Sequence, residues 1–291
     1  MTGADVSFVH LGISIPHMVK SFSIGGISFA YYGLIIGIGM ILGLCVAQSD
    51  AKRRGQNPDI YLDFALYGII FSIIGARIYY VFFQWAYYKD HLMEILNLRK
   101  GGLAIYGGVI AGVLTLLVFT KKRHLSFLSM ADSACLGLIT GQMIGRWGNF
   151  INCEAFGRYT DCLFAMRIRR SIVNESMISQ NLIDHLILDN GIEYIQVHPT
   201  FLYESLWNFG LLMFMLWFRK RKTFTGEMLC IYLAGYGIGR AWIEGLRTDS
   251  LLIPGTGIAV SQALSVVLAT VSLVVLIYHR RKAFAQRKGA N

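Results

Sequence analysis

Seven stretches of the chain, at about residues 27–48, 61–84, 101–120, 129–146, 201–218, 226–246 and 256–278, stay mainly apolar for close to the length a helix needs to cross a bilayer. That length is about 20 residues, and lipid forces such a segment to satisfy its backbone groups internally. Composition agrees, with 55% hydrophobic and only 15% charged residues, where roughly a quarter are charged in soluble proteins. The fold class expected is all-α: a polytopic membrane protein with seven transmembrane helices in one integral domain spanning 1–291. Two runs are interrupted by charge, the second by Asp63 and Arg77 and the fourth by Asp132.

The net charge of +10 does not point to nucleic acid, because the basic residues stand in short clusters between the apolar runs. Lys52, Arg53 and Arg54 follow the first run, Lys121, Lys122 and Arg123 the third, Arg219 to Lys222 the fifth, and Arg280, Arg281, Lys282, Arg287 and Lys288 the seventh. If the helices alternate, these clusters share one side, and the positive-inside rule makes that side cytoplasmic. The N-terminus is then outside and the C-terminus cytoplasmic. Three external pieces follow: an arm to about residue 26, a loop at 85–100, and a longer external segment at about 147–200 between the fourth and fifth helices. Within the last, a short helix, a turn at Asn190-Gly191 and a short strand are expected. The opening MTGADVSFVHLG lacks a basic region ahead of an apolar core, so no cleavable signal peptide is expected.

Five cysteines without repeated spacing form no disulfide framework, although Cys153 and Cys162 would both lie outside the membrane. No zinc-type spacing is present, so neither metal nor cofactor is expected. Gly33 and Gly37, Gly39 and Gly43, and Gly137, Gly141 and Gly145 recur four apart, which suits close helix packing in lipid. In GGLAIYGG (101–108), two glycine pairs bracket Tyr106, either where backbone approaches a ligand or as an interfacial anchor.

Charges inside membrane helices are costly and mark functional candidates. Arg240, Glu244 and Arg247 in GYGIGRAWIEGLR are spaced to share one helical face. Alternation puts them, with Arg77 and Arg146, in the outer half of the membrane. Four arginines from three helices suit an anionic headgroup whose tails stay in lipid. The competing reading is that they pair with Asp132, Glu204 or Glu244 as buried ion pairs.

The stretch GRWGNFINCEAFGR (145–158) resembles the signature of the bacterial phosphatidylglycerol:prolipoprotein diacylglyceryl transferases. YYGL (31–34), GARIYYVFF (75–83), GGLAIYGG, HPTFLYES (198–205) and GYGIGRAWIEGLR (235–247) extend that resemblance over essentially the whole chain. It implies transfer of diacylglyceryl from phosphatidylglycerol to the lipobox cysteine of prolipoprotein signal peptides. A thioether forms and glycerol phosphate leaves. The expected location is the bacterial cell membrane, with the active site toward the outer leaflet. On this resemblance Arg146 and Arg240 match the essential arginines, Asn149 and Glu154 the signature polar residues, Gly157 the signature glycine, and Tyr32 and Tyr236 the functional tyrosines. Glu244 and Arg247 complete the last motif. Catalytic candidates are Arg146, Arg240, Tyr106 and Glu244. Substrate-binding candidates are Tyr32, Arg77, Asn149, Asn152, Glu154, Gly157, Tyr236 and Arg247.

Many members carry histidine where this chain has Tyr106. The attacking species is a thiolate, from a thiol of pKa about 8.5, and tyrosine, at about 10, is a poor base at neutral pH. The proton acceptor is therefore Tyr106 with a lowered pKa, Glu244 or His198, or the thiol ionises with little help. A transporter or flippase of an anionic lipid or organic anion is the alternative function. It gains no support from an internal repeat or a broken-helix pair.

Overall fold

The computed structural model describes residues 3–98 and 101–289. Its helices are α1 (Tyr31–Arg53), α2 (Asp59–Phe83), α3 (Trp85–Tyr88), α4 (Ile105–Lys122), α5 (Phe127–Asn152), α6 (Gln180–Ile183), α7 (Thr200–Phe218), α8 (Glu227–Glu244) and α9 (Val260–Gly289). Six of them, α1, α2, α4, α5, α7 and α9, are long and apolar enough to cross a membrane. The chain is thus a mostly helical, multi-pass membrane protein. The 18-residue α8 carries Glu227, Arg240 and Glu244 and falls outside that set.

The ends of the helices follow local chemistry. Pro58 and Pro199 stand immediately before α2 and α7, where a missing N–H costs nothing. Gly226, at φ +95°, turns the chain into α8. Lys121 and Lys122 close α4, where cations complement the helix dipole. The fourth run was expected to end near residue 146, yet α5 continues to Asn152.

The expectation of an all-α fold is corrected by a five-stranded antiparallel sheet of order β2-β1-β5-β7-β6. It is made of β1 (Val6–Phe8), β2 (Ile13–Ile15), β5 (Met166–Arg169), β6 (Ile187–Asp189) and β7 (Ile192–Val197). Val6 pairs with Ile168 and Ile168 with Ile195, so the N-terminal arm and the segment after α5 share one sheet. Strands of three to six residues offer too few alternating positions to stand out, and pairing so distant in sequence leaves no local period. The turn at Asn190-Gly191, with φ of +51° and +78°, joins β6 to β7. A separate hairpin, β3 (Ser21–Ile24) with β4 (Ile27–Ala30), leads directly into α1. Beneath the larger sheet, Val6, Phe8, Met166, Ile168, Ile195 and Val197 pack with Cys153 and Phe156 from the end of α5 and with Phe201 of α7.

The chain folds as two compact units, Met1–Gly43 with Cys135–Asn291, and Leu44–Ala134. In the first, α1 and α5 cross at their glycines. A Cβ on Gly43 would lie 2.5 Å from the Gly137 carbonyl oxygen, and one on Gly39 3.3 Å from that of Gly141. Gly33 and Gly37 meet nothing within 4 Å and belong to no such crossing. In the second unit, α2 and α4 cross where Gly75 and Gly107 are in backbone contact. There too Asp50, fully buried, accepts from Arg53 at 2.9 Å and from the Ser133 hydroxyl at 2.7 Å.

Candidate active site

The signature stretch is the last two turns of α5 and the bend after it. Cys153 N–H donates to Phe150 O and Glu154 N–H to Asn149 O, both at 3.0 Å, the paired bonds of a Schellman closure. Such a closure favours glycine at its left-handed residue, but here Cys153 takes it at φ +53°, and Ala155 follows at +56°. Left-handed backbone costs an L residue roughly 1–2 kcal/mol. Burial of Cys153 and Phe156 under the sheet holds the bend in place. Its product is local: Asn149 Nδ2 donates to Glu154 Oε1 at 2.9 Å.

Gly157 then joins three segments. Its N–H donates to His198 O at 2.9 Å, and the next N–H, of Arg158, to Leu246 O at 2.9 Å. A Cβ on Gly157 would stand 2.7 Å from His198 Cβ and 3.0 Å from Leu246 O. Only glycine lets the bend after α5, the entry to α7 and the exit from α8 meet there.

That junction gathers the charges. Glu204, in the second turn of α7, sits between guanidiniums: Oε2 is 2.7 Å from Arg146 Nη2, and Oε1 is 3.0 Å from Arg240 Nη1 and 3.6 Å from Arg247 Nη1. Arg240 Nη2 is 2.6 Å from Glu244 Oε2, and Glu244 Oε1 accepts from the hydroxyls of Ser250 (2.8 Å) and Ser261 (2.6 Å). Arg247 is gripped by Asp249 through Nε and Nη2 at 2.9 and 2.8 Å. Glu204 and Glu244 side chains are 5% and 4% exposed, against 19% for Arg146 and 17% for Arg240. The acids are therefore interior and the arginines face outward from them. Among the described residues, Arg146 has one ion-pair partner, Arg240 two and Arg247 three. The share of each guanidinium left unpaired by carboxylates falls in that order.

The Tyr32 ring lies across Gly148 of α5, 2.7 Å from where a Cβ would be. Tyr236 stacks on Tyr232 with ring centroids 5.7 Å apart. Asn152, half-buried, ends α5, and its side chain makes no hydrogen bond among the described residues. Burial disfavours the charge of Arg247, but Asp249, Glu204 and Glu244 outweigh it and raise the Arg247 pKa. Burial also disfavours the Asp249 carboxylate, yet the bond from Arg247 holds its pKa below the usual range. The Cys153 thiol is buried under the sheet, and burial pushes it up to about 11. His198 is lowered by burial and by Arg158, and its Nδ1 lies 3.2 Å from the Tyr203 hydroxyl.

Arg77 departs from expectation. Its Nε bonds Ile95 O (2.8 Å), Nη1 bonds Gly101 O (2.8 Å) and Gly102 O (2.9 Å), and Nη2 bonds Glu94 O (2.6 Å) and Asn97 O (3.3 Å). All five guanidinium donors go to main-chain carbonyls of its own unit, leaving none for a headgroup. Tyr106, half-buried in the first turn of α4, belongs to that same unit. Conversely Glu204, absent from the expected site, is its centre. An acid alone in the apolar run after HPT was the available signal.

Comparison with known proteins decides the family. The family profile described as prolipoprotein diacylglyceryl transferase matches residues 20–278. The chain belongs to the prolipoprotein diacylglyceryl transferase family. Similar proteins named phosphatidylglycerol–prolipoprotein diacylglyceryl transferase include one from Bacillus velezensis, 40% identical over 93% of this chain and 95% of that one. Another is from Geobacillus kaustophilus, 40% identical over 91% of this chain and 93% of that one. A third, from Bacillus licheniformis, is 40% identical over 90% of this chain and 92% of that one. The profile of the transferase family takes in α1 through most of α9, and with them every residue of the arginine–carboxylate cluster.

Proposed function

We propose that this chain moves the diacylglyceryl group of phosphatidylglycerol onto the lipobox cysteine of prolipoproteins. The thiolate sulfur attacks the glycerol carbon bearing the phosphodiester. A C–S bond forms, the C–O bond to phosphate breaks, and glycerol phosphate departs with the electron pair. The observation that carries the reading is Glu204, one buried carboxylate holding Arg146 of α5 and Arg240 of α8 side by side. Two adjacent guanidiniums with donors to spare suit a phosphodiester and the charge that grows on it as the bond breaks.

On this reading Arg146 and Arg240 hold the phosphate, and Arg247, tied to three carboxylates, positions Glu204. Glu244, whose oxygens are occupied by Arg240, Ser250 and Ser261, holds Arg240 and does not take the thiol proton. Asn149 and Glu154 face the lipid's glycerol hydroxyls, with Tyr32 beside them. Arg77 serves as a loop pin. Tyr106 does not take the thiol proton, since tyrosine is a poor proton acceptor at neutral pH. We also propose that α8 is a seventh span, with the N-terminus outside. The basic residues closing α1, α4, α7 and α9 support this orientation. It puts the C-terminal ends of α5 and α8 and the start of α7 at the outer leaflet.

The test incubates purified protein with phosphatidylglycerol and a lipobox peptide. The enzyme gives a diacylglyceryl mass gain on the peptide cysteine with glycerol phosphate release, and Arg146→Ala or Arg240→Ala abolishes both. A transporter of anionic lipid gives neither product.

A further inference from the structure

α5 and α8 reach the arginine cluster at their C-terminal ends and α7 reaches it at its N-terminal end. Moving one turn away from the cluster therefore leads from Arg146 to Gln142, from Arg240 to Tyr236, and from Glu204 to Asn208. Four helical residues span about 6 Å. Gln142, Tyr232 and Ser205 at these depths are matched within the protein. Gln142 Nε2 donates to the Tyr232 hydroxyl at 3.0 Å. The Ser205 hydroxyl donates to Met143 O at 3.0 Å and accepts from Trp147 Nε1 at 3.2 Å.

Asn208 is not matched in this way. It is 2% exposed, and among the described residues its Nδ2 has no hydrogen-bond partner. A buried amide donor without an acceptor is strongly unfavourable, and an apolar residue of similar shape would avoid the penalty. The next residue on that face, Leu212, is buried and apolar. The polar face of α7 thus runs from Glu204 to Asn208 and stops.

We infer that Asn208 is a second binding subsite, donating a hydrogen bond to an ester carbonyl of the glycerolipid whose phosphate the arginines hold. The inference rests on the function proposed above. In such a lipid the two esters stand on the two glycerol carbons that do not bear phosphate, on the way to the tails. A carbonyl oxygen only accepts, and Asn208 Nδ2 only donates. The order along α7, carboxylate-held arginines, then a lone donor, then leucine, matches the order phosphate, ester, acyl chain. Asn208 therefore selects a diester over a lipid lacking carbonyls and fixes how deep the reacting carbon sits.

The experiment compares dioleoyl phosphatidylglycerol with its dialkyl ether analogue as donors to a lipobox peptide, using the purified full-length protein. Wild type favours the diester by about tenfold in kcat/KM, the value of one hydrogen bond of ordinary strength. Asn208→Leu lowers diester turnover by about the same factor and leaves ether turnover unchanged, bringing the ratio near one. Asn208→Ala, which has no side-chain donor, serves where the leucine variant does not fold, with the same loss of preference expected. A wild type indifferent to the carbonyls, or variants that slow both lipids equally, overturns the subsite. Peptide left unmodified with either lipid overturns the proposed function instead.

Discussion

Replacing Glu204 by Gln keeps the shape of the side chain and removes the charge on which three arginines converge. The contacts are 2.7, 3.0 and 3.6 Å, and the carboxylate is 5% exposed. At about 4 Å and an effective dielectric of about 20, one such pair is worth about 4 kcal/mol before desolvation is counted. Removing one partner of a buried pair costs about 3–5 kcal/mol, because the remaining charge is left uncompensated. Glutamine still accepts from Arg240, so the lower end of that range applies. Its amide nitrogen, however, is a second donor facing Arg146. Arg146 must move, and a shift of about 1 Å in a positioning group costs about 100-fold in rate.

The effect on lipid binding has the opposite sign. In the wild type, Arg146, Arg240 and Arg247 stand against Glu204, Glu244 and Asp249, a balanced set. The substitution leaves that set one charge positive, which favours an anionic lipid. We therefore expect kcat to fall about 100-fold with KM for phosphatidylglycerol unchanged or lower, and thermal unfolding in detergent to shift down by several degrees. Steady-state lipidation in mixed micelles separates the two constants. A raised KM with normal kcat would refute the reasoning, since Glu204 would then be a lipid contact. An unchanged rate and Tm would refute it as well.

Gly157→Ala places a methyl against His198 Cβ and Leu246 O at 2.7 and 3.0 Å; overpacking of this kind costs about 1–3 kcal/mol, and we expect a lower kcat together with a lower Tm. Cys153→Ser should retain lipidation, and Cys153, with its thiol pushed up to about 11, should resist maleimide at pH 7.5 until the protein is denatured. His198 has a folded-state pKa below its ordinary 6.5, so the unfolded chain binds the extra proton first; Tm should be flat above about pH 7 and fall as pH drops below 6.5, and His198→Gln should flatten that slope. Arg77→Lys offers three donors to five carbonyls and should expose the backbone at 94–97 to limited proteolysis more than it alters the KM for lipid.

Several of these features were legible in the sequence and others were not, for identifiable reasons. Apolar length located the six helices long and apolar enough to cross a membrane, because lipid leaves the backbone one way to satisfy itself. The glycine ladders of α1 and α5 proved to be one crossing, but four-residue spacing could not show that Gly33 and Gly37 face elsewhere. The end of α5 was placed too early. Its closing left-handed residue is Cys153, which carries none of the stop signal a glycine would give. The sheet escaped because β1 and β5 lie far apart in the chain. Arg77 was visible as a buried charge, but its partners are backbone carbonyls, which every residue has and no sequence pattern marks. Glu204 was visible as a charge at the start of an apolar run and as an ion-pair partner for the arginines, but not as a member of the site. Its central place depends on three helix ends meeting at Gly157.

The presence of carboxylates in a site proposed to bind phosphate follows from what the reaction does to charge. Three unpaired guanidiniums inside a membrane protein would be too costly to bury, and acids 2.6 to 3.6 Å away remove most of that cost. They also set the balance between substrate and product. Phosphatidylglycerol carries a phosphodiester with one negative charge, whereas the departing glycerol phosphate is a monoester with up to two. A site of arginines alone would hold the product more tightly than the substrate and stall after one turnover. Glu204 and Glu244 compete for the same guanidiniums and, being part of the chain, with Glu244 also held by Ser250 and Ser261, reclaim them once the thioether has formed. Arg146, with a single carboxylate partner, is the arginine most available to the phosphate. Its replacement by lysine should therefore reduce kcat more than the same change at Arg247, whose donors are already shared among Asp249, Glu204 and Glu244. Equal losses at the two positions, measured in the same lipidation assay, would contradict that ranking.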